Sequence, residues 1–137
     1  MLDKTDIGIL NLLIQNSRRR LQDVGEEVHL TGQGVKNRIT KMEKMGIIEK
    51  YTLKINFHKL GKKVMAFVTI FMKTSNHMEF RNYINKSDIV VEAHRISGEG
   101  CYLLKVVAET QEKLVGFLDE ILKYGNYKVN LSIEEIK

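Results

Sequence analysis

Gln33, Lys36, Asn37, Lys41 and Lys44 recur at helical spacing, which gathers two amides and three ammonium groups on one outer face. Amides can pair with N6 and N7 of adenine, and lysines can hold phosphates, so this face has the chemistry of a helix lying in the major groove of DNA. Arg38 flanks it and reaches either a phosphate or a partner within its own domain. Arg18 opens the run Arg18-Arg19-Arg20, which reads as a phosphate contact or as a solvated corner. The four histidines (29, 58, 77 and 94) fall in separate segments with no ligand spacing. No catalytic residue, metal or cofactor is therefore expected, and the chain does not read as an enzyme.

The elements that must position this face lie between Leu21 and Ile48. A first short helix carries Leu21, Val24 and Val28, with Gly25 at the point where a side chain would hold a neighbouring helix away. His29 sits at a turn position that favours a left-handed backbone, which histidine tolerates better than most side chains. Thr31 is a good N-cap for a second helix, because its hydroxyl can accept a free amide proton there. That helix buries Val35, Ile39 and Met42, and Gly46 suits its C-terminal end. Gly32 and Gly34 in the first turn cost up to ~1 kcal/mol each relative to alanine. They either let the backbone approach a phosphate closely or reflect tolerance at a cap. Upstream, Asp3 caps a helix to Asn16 that has Asp6 in its first turn and an inward stripe of Ile7, Leu10, Leu13 and Ile14.

Charge supports the same partner. The net +5 is concentrated: residues 31–63 carry +7, while the segments before and after them carry −1 each. A surplus so localised points to a polyanion. The single cysteine, Cys101, excludes an internal disulfide framework, and no apolar run is long enough to span a bilayer. A cytoplasmic protein is expected.

The stretch after Gly46 is β-prone and basic and reads as an extended connector over 51–63. It divides a helix-turn-helix domain at 1–50 from a second domain at 64–137. There the rhythm changes to strand 64–72, a helix capped by Asn76 with Glu79 as its capping box, and strand 89–97. The turn Gly98-Glu99-Gly100 and strand 101–108 follow. A helix opened by Thr110 then buries Leu114, Phe117, Leu118 and Ile121 ahead of a last strand on which Tyr127, Val129, Leu131 and Ile133 alternate inward. The order β-α-β-β-α-β is the ferredoxin-like unit, so the fold class is α+β. Two helices cover one face of such a sheet. The other face would leave Met65, Phe67 and Phe71 in water, from which a homodimer through the sheet faces is expected, with two recognition helices reading two half-sites.

Several short motifs recur in one order. They are Leu2-Asp3, Thr5-Asp6 and Ile9-Leu10; Asn16 and Arg18; Val28 and Leu30-Thr31; and Arg38-Ile39, Met42-Glu43 and Gly46-Ile47-Ile48. Tyr51, Asn56 and Leu60-Gly61 follow, and last the turn Gly98-Glu99-Gly100-Cys101-Tyr102. Together they resemble the leucine-responsive regulatory protein/asparagine-synthesis regulator (Lrp/AsnC) family over nearly the whole chain. The resemblance implies a transcriptional regulator with an N-terminal DNA-binding domain. It also implies a C-terminal domain that dimerises, assembles further (often to octamers) and binds small effectors, usually amino acids, between dimers. On that basis Arg18, Thr31, Gln33, Gly34, Lys36, Asn37, Arg38 and Lys41 are the DNA-binding candidates, with Lys36, Lys41 and Arg18 on phosphates. Gly98, Glu99, Gly100, Cys101 and Tyr102 are the effector-binding candidates. Cys101 stands where many members carry Asp, and the plain alternative for this turn is a hairpin with Cys101 simply buried. Two other classes remain open: a nucleoid-architectural protein that wraps DNA with weak sequence preference, and a haem-biosynthesis decarboxylase-like enzyme using His94-Arg95.

Overall fold

A computed structural model describes all 137 residues, Met1–Lys137, as two compact units, Met1–Lys54 and Ile55–Lys137. The first unit holds three helices: α1 (Lys4–Gln15), α2 (Leu21–Val28) and α3 (Gly32–Lys44). The start of α1 is locked by a reciprocal capping box. The Asp6 amide donates to Asp3 Oδ1 at 2.8 Å, and the Asp3 amide donates to Asp6 Oδ2 at 3.0 Å. Its buried stripe differs from the expected one. Ile9 is fully buried and Leu2, Leu10 and Leu13 pack beside it, whereas Ile7 and Ile14 are 45% and 79% exposed. The stripe runs through Asp6, which is itself fully enclosed, so a charged residue occupies a core-facing position and disguises the helix phase.

Between α2 and α3 the chain reverses at His29, whose backbone is left-handed (φ 60°). The Leu30 amide then donates back to the Gly25 carbonyl at 2.8 Å. A Cβ on Gly25 would lie 2.3 Å from the Leu30 carbonyl oxygen, so this glycine makes room for the returning backbone, not for a neighbouring helix. Val24, Val35, Ile39 and Met42 complete the core with Ile9.

The second unit is a four-stranded antiparallel sheet with two helices. Its elements are β1 (Val64–Met72), α4 (His77–Lys86), β2 (Val90–Arg95), β3 (Tyr102–Ala108), α5 (Gln111–Ile121) and β4 (Gly125–Leu131). The strand order β2-β3-β1-β4 puts β1 and β3 at the centre, as the ferredoxin-like pattern requires. Asn76 and Thr110 cap α4 and α5 by accepting the amides of Glu79 and Lys113, although Glu79 returns its carboxylate to the Asn76 side chain and leaves the capping box incomplete. Ala66, Val68 and Ile70 of β1, with Tyr102, Leu104 and Val106 of β3, face Phe80, Ile84, Leu114, Phe117, Leu118 and Ile121 of the helices. The opposite face carries Met65, Phe67, Thr69, Phe71 and Leu103 with no helix over it. Leu131, the last residue of β4, is 57% exposed, and Ile133, expected on the same strand, lies beyond its end and is 100% exposed.

No strand forms over 51–63. Phe57–Gly61 coils into a turn in which the Lys62 amide donates to the Phe57 carbonyl at 2.9 Å. A β-prone segment without a neighbouring strand has no ladder to join, and local turn bonds satisfy its backbone instead. No helix is long and apolar enough to cross a membrane.

Candidate nucleic-acid interface

The outer face of α3 is set by its start and by its buried side. Thr31 Oγ1 accepts the Gly34 amide at 3.0 Å, fixing the first turn, and Val35, Ile39 and Met42 turn inward. Gln33, Lys36, Asn37 and Lys44 are consequently exposed on one side. Gln33 Nε2 donates to Asn37 Oδ1 at 2.9 Å, so the two amides lie side by side and act as one polar unit. Neither Lys36 nor Lys44 has a carboxylate partner, so both charges are free for an anion outside the chain.

Arg38 and Lys41 are placed differently. Arg38 Nη1 bonds the Asp3 carboxylate and reaches Asp6 Oδ1 at 3.1 Å, while Lys41 Nζ donates to Asp6 Oδ2 at 2.7 Å. The Lys41 ammonium beside Asp6, helped by the Asp3 amide and Arg38, holds the Asp6 carboxyl far below the usual carboxylate range. Arg38 likewise lowers Asp3 and is itself raised by it. Of the two roles open to Arg38, the partner within the domain is the one occupied. Lys41, expected on phosphate, here anchors α3 to the buried carboxylate of α1. The buried acid was the residue sequence reading missed. Its signal was an Asp at a core-facing phase of α1 with two cations one helical turn apart on α3.

The arginine run also divides. Arg19 pairs with Glu27 at 2.8 Å and Arg20 with Asp23 at 3.0 Å, which leaves Arg18 exposed with only its backbone bonded, to Asn16 Oδ1. Beyond α3, the Tyr51 hydroxyl donates to Glu43 Oε1 at 2.6 Å and ties the outgoing chain to the helix. That carboxylate pushes the phenol up to about 12.

In the second unit the effector candidates form the β2–β3 connection. Gly98 and Gly100 both take positive φ, and a Cβ on Gly100 would lie 2.5 Å from the Thr69 methyl. Cys101 is half-buried and its amide donates to the Ile70 carbonyl at 2.7 Å. Tyr102 is buried, with its hydroxyl 2.7 Å from His77 Nδ1. Of these five residues, only Tyr102 lines the cavity between α4 and β2.

Comparison with known proteins places both halves. A model described as winged helix-turn-helix DNA-binding matches residues 2–49, and the Lrp/AsnC ligand binding domain matches residues 65–137. The chain belongs to the Lrp/AsnC family of transcriptional regulators. Among its Lrp relatives, the HTH-type transcriptional regulator LrpB of Bacillus subtilis is 45% identical, over 99% of this chain and 91% of that one. LrpA of the same organism is 36% identical over 97% and 98%. The solved structure of B. subtilis LrpC superposes with a TM-score of 0.94 at 30% identity, covering 100% and 98% of the two chains. A transcriptional regulator from Neisseria meningitidis, solved as a complex with L-Met, superposes with a TM-score of 0.92 at 26% identity, covering 100% of this chain and 93% of that one. The first unit is thus the helix-turn-helix DNA-binding part of a transcriptional regulator, and the ferredoxin-like unit matches the family's ligand binding domain.

Proposed function

We propose that this cytoplasmic regulator grips operator DNA as a homodimer. Gln33 and Asn37 meet base edges, and Lys36, Lys44 and Arg18 meet phosphates. Thr31 and Gly34 shape the start of α3, where a phosphate would meet the positive end of the helix dipole. Arg38 and Lys41 act as struts that hold α3 at its angle. The observation that carries this reading is the charge left over on α3: two of its four cations are spent on Asp3 and Asp6, and Lys36 and Lys44 remain uncompensated beside a paired amide unit.

The N-terminal unit is then the DNA reader, and the C-terminal unit is the dimerising and effector-binding part. Further assembly to an octamer would bring the Gly98–Tyr102 turns of neighbouring dimers together around a small molecule. The L-Met complex of the Neisseria relative supports an effector of amino-acid size. Regulation, and not DNA wrapping or catalysis, is the role assigned.

The test is selection of a binding sequence from a random DNA pool, then competition between that sequence and random DNA at fixed salt. Specific regulators gain ~10³-fold or more, and a preference under ~10-fold would favour an architectural role instead.

A further inference from the structure

The cavity of the second unit lies between α4 and the edge strand β2, on the helix side of the sheet, with a volume of about 320 Å³. Its floor is Ala93 and Leu104, neighbours across β2 and β3, and its roof is Phe80 and Ile84, one turn apart on α4. Two guanidinium groups line it. Arg95 comes from β2 opposite Tyr102, and Arg81 comes from α4. Neither has a carboxylate partner, and no carboxylate lines the cavity. The one acid nearby on β2, Glu92, is taken by His94 at 2.7 Å.

Arg81 is also positioned. Its Nε donates to the Tyr102 hydroxyl at 3.4 Å, and its guanidinium lies 6.0 Å from the centre of that ring. The same hydroxyl is held by His77, so the residue that ends the β2–β3 turn fixes one of the two cations. Asn85 adds an amide one turn along α4 from Arg81.

Two arginines lining one open cleft without a counter-ion favour an anion, and each guanidinium is shaped to take a carboxylate through two hydrogen bonds. Two carboxylates, one to each arginine, would give both guanidiniums a full two-bond partner. The apolar floor suits a short methylene chain between the charges, and the volume falls in the range of small-molecule sites. We infer that this cleft binds a short dicarboxylate, an acidic amino acid or its 2-oxo acid, with one carboxylate on Arg81 and the other on Arg95. This names a chemical class of effector for the ligand-binding unit and rests on that part of the proposed function. It seats the molecule in a cleft within one subunit, beside the Gly98–Tyr102 turn, and not between the turns of neighbouring dimers.

The test is calorimetric titration of the full-length protein with L-glutamate, L-aspartate, 2-oxoglutarate, L-methionine, L-leucine and inorganic phosphate. The dicarboxylates are expected to bind at least ~10-fold tighter than the neutral amino acids, the equivalent of about 1.4 kcal/mol. Arg81→Gln and Arg95→Gln should each remove at least ~10-fold, while Arg81→Lys and Arg95→Lys should restore part. Both arginines are exposed, and thermal unfolding of each variant checks that the fold is kept. Neutral amino acids that bind as well as dicarboxylates would overturn the proposal, as would phosphate binding equally tightly or variants that bind like the parent. The absence of binding by any dicarboxylate would also overturn it. Gel-shift binding to the DNA selected above, without ligand, is a separate readout. Its failure would sink the DNA-reading proposal while leaving the calorimetry to stand or fall alone.

Discussion

Asp6 divides its two oxygens among Arg38, Lys41 and the Asp3 amide while its side chain is closed off from water. Removing the charge but not the shape, in Asp6→Asn, should lower the unfolding temperature, because two cations lose their partner at the α1–α3 contact. The sign with pH follows from the depressed carboxyl. The native state keeps Asp6 ionised where the unfolded chain would protonate it, so its stabilisation is complete above the unfolded value of about 3.9. It is lost as pH falls toward the native value. Melting curves of parent and Asp6→Asn should therefore differ most near pH 7 and begin to converge only below about pH 4, closing further as pH falls toward the native value. A constant gap down to pH 2 would mean that the ion pairs contribute nothing. The lysines of α3 separate in the same way. Lys36→Ala should reduce the salt dependence of DNA binding by about one phosphate contact per subunit, with little change in melting temperature. Lys41→Ala should lower the melting temperature by leaving Arg38 as the one cation on buried Asp6, and leave the salt slope near that of the parent. Equal slopes for all three proteins would overturn the assignment of Lys36.

Two helical glycines of opposite character test how the elements are packed. A side chain on Gly25 would run into the Leu30 carbonyl, and the chain there is pinned by the His29 reversal, so Gly25→Ala should destabilise by roughly 1–3 kcal/mol. On α5, nothing lies within 4 Å of the site of a Cβ on Gly116, and Gly116→Ala should stabilise by about 0.5–1 kcal/mol. Guanidinium unfolding of the two variants measures both, and a Gly25→Ala protein as stable as the parent would remove the close approach from the account. Legibility in the sequence followed the same line between local pattern and tertiary demand. The buried stripes of α3 and α5 were readable, because Val35, Ile39, Met42 and Leu114, Phe117, Leu118, Ile121 are apolar among polar neighbours, but α5 ends at Ile121 and not near Gly125, where its C-terminal end was expected. α1 was misread in phase because Asp6 points inward while Ile7 and Ile14 point out. β4 begins two residues before its first apolar signal, at Gly125, whose backbone lies so close to Phe71 that a Cβ would meet its carbonyl oxygen. The exposed amide and lysine face proposed to read DNA could be picked out because one helix carries it. The Arg81–Arg95 cleft could not, since it exists only where α4 crosses β2, and neither segment alone marks it.

At the scale of the whole molecule, the sheet face away from α4 and α5 carries apolar side chains with no helix of its own unit over them. Phe67 is 39% exposed at its centre, with Lys105 opposite on β3 and Asn130 opposite on β4. Met65, Thr69, Phe71 and Leu103 are half-buried around it. Packing this face on a second copy would bury the phenyl ring and leave Lys105, Lys128 and Asn130 at hand for polar contacts across the seam. Phe67→Glu should keep the monomer folded, since its carboxylate would stand across the strand pair from Lys105, yet it would place two acids at the centre of a two-fold interface. Sedimentation equilibrium should then report a monomer where the parent is a dimer or larger. DNA binding should weaken far more than any single phosphate contact explains, because tethering two α3 helices multiplies affinity by ~10²–10⁴ when both half-sites are engaged. The half-site control separates the two effects: on DNA carrying one half-site, parent and Phe67→Glu should bind alike. A variant that stays dimeric would move the subunit interface off this face, and with it the geometry by which two recognition helices share one duplex.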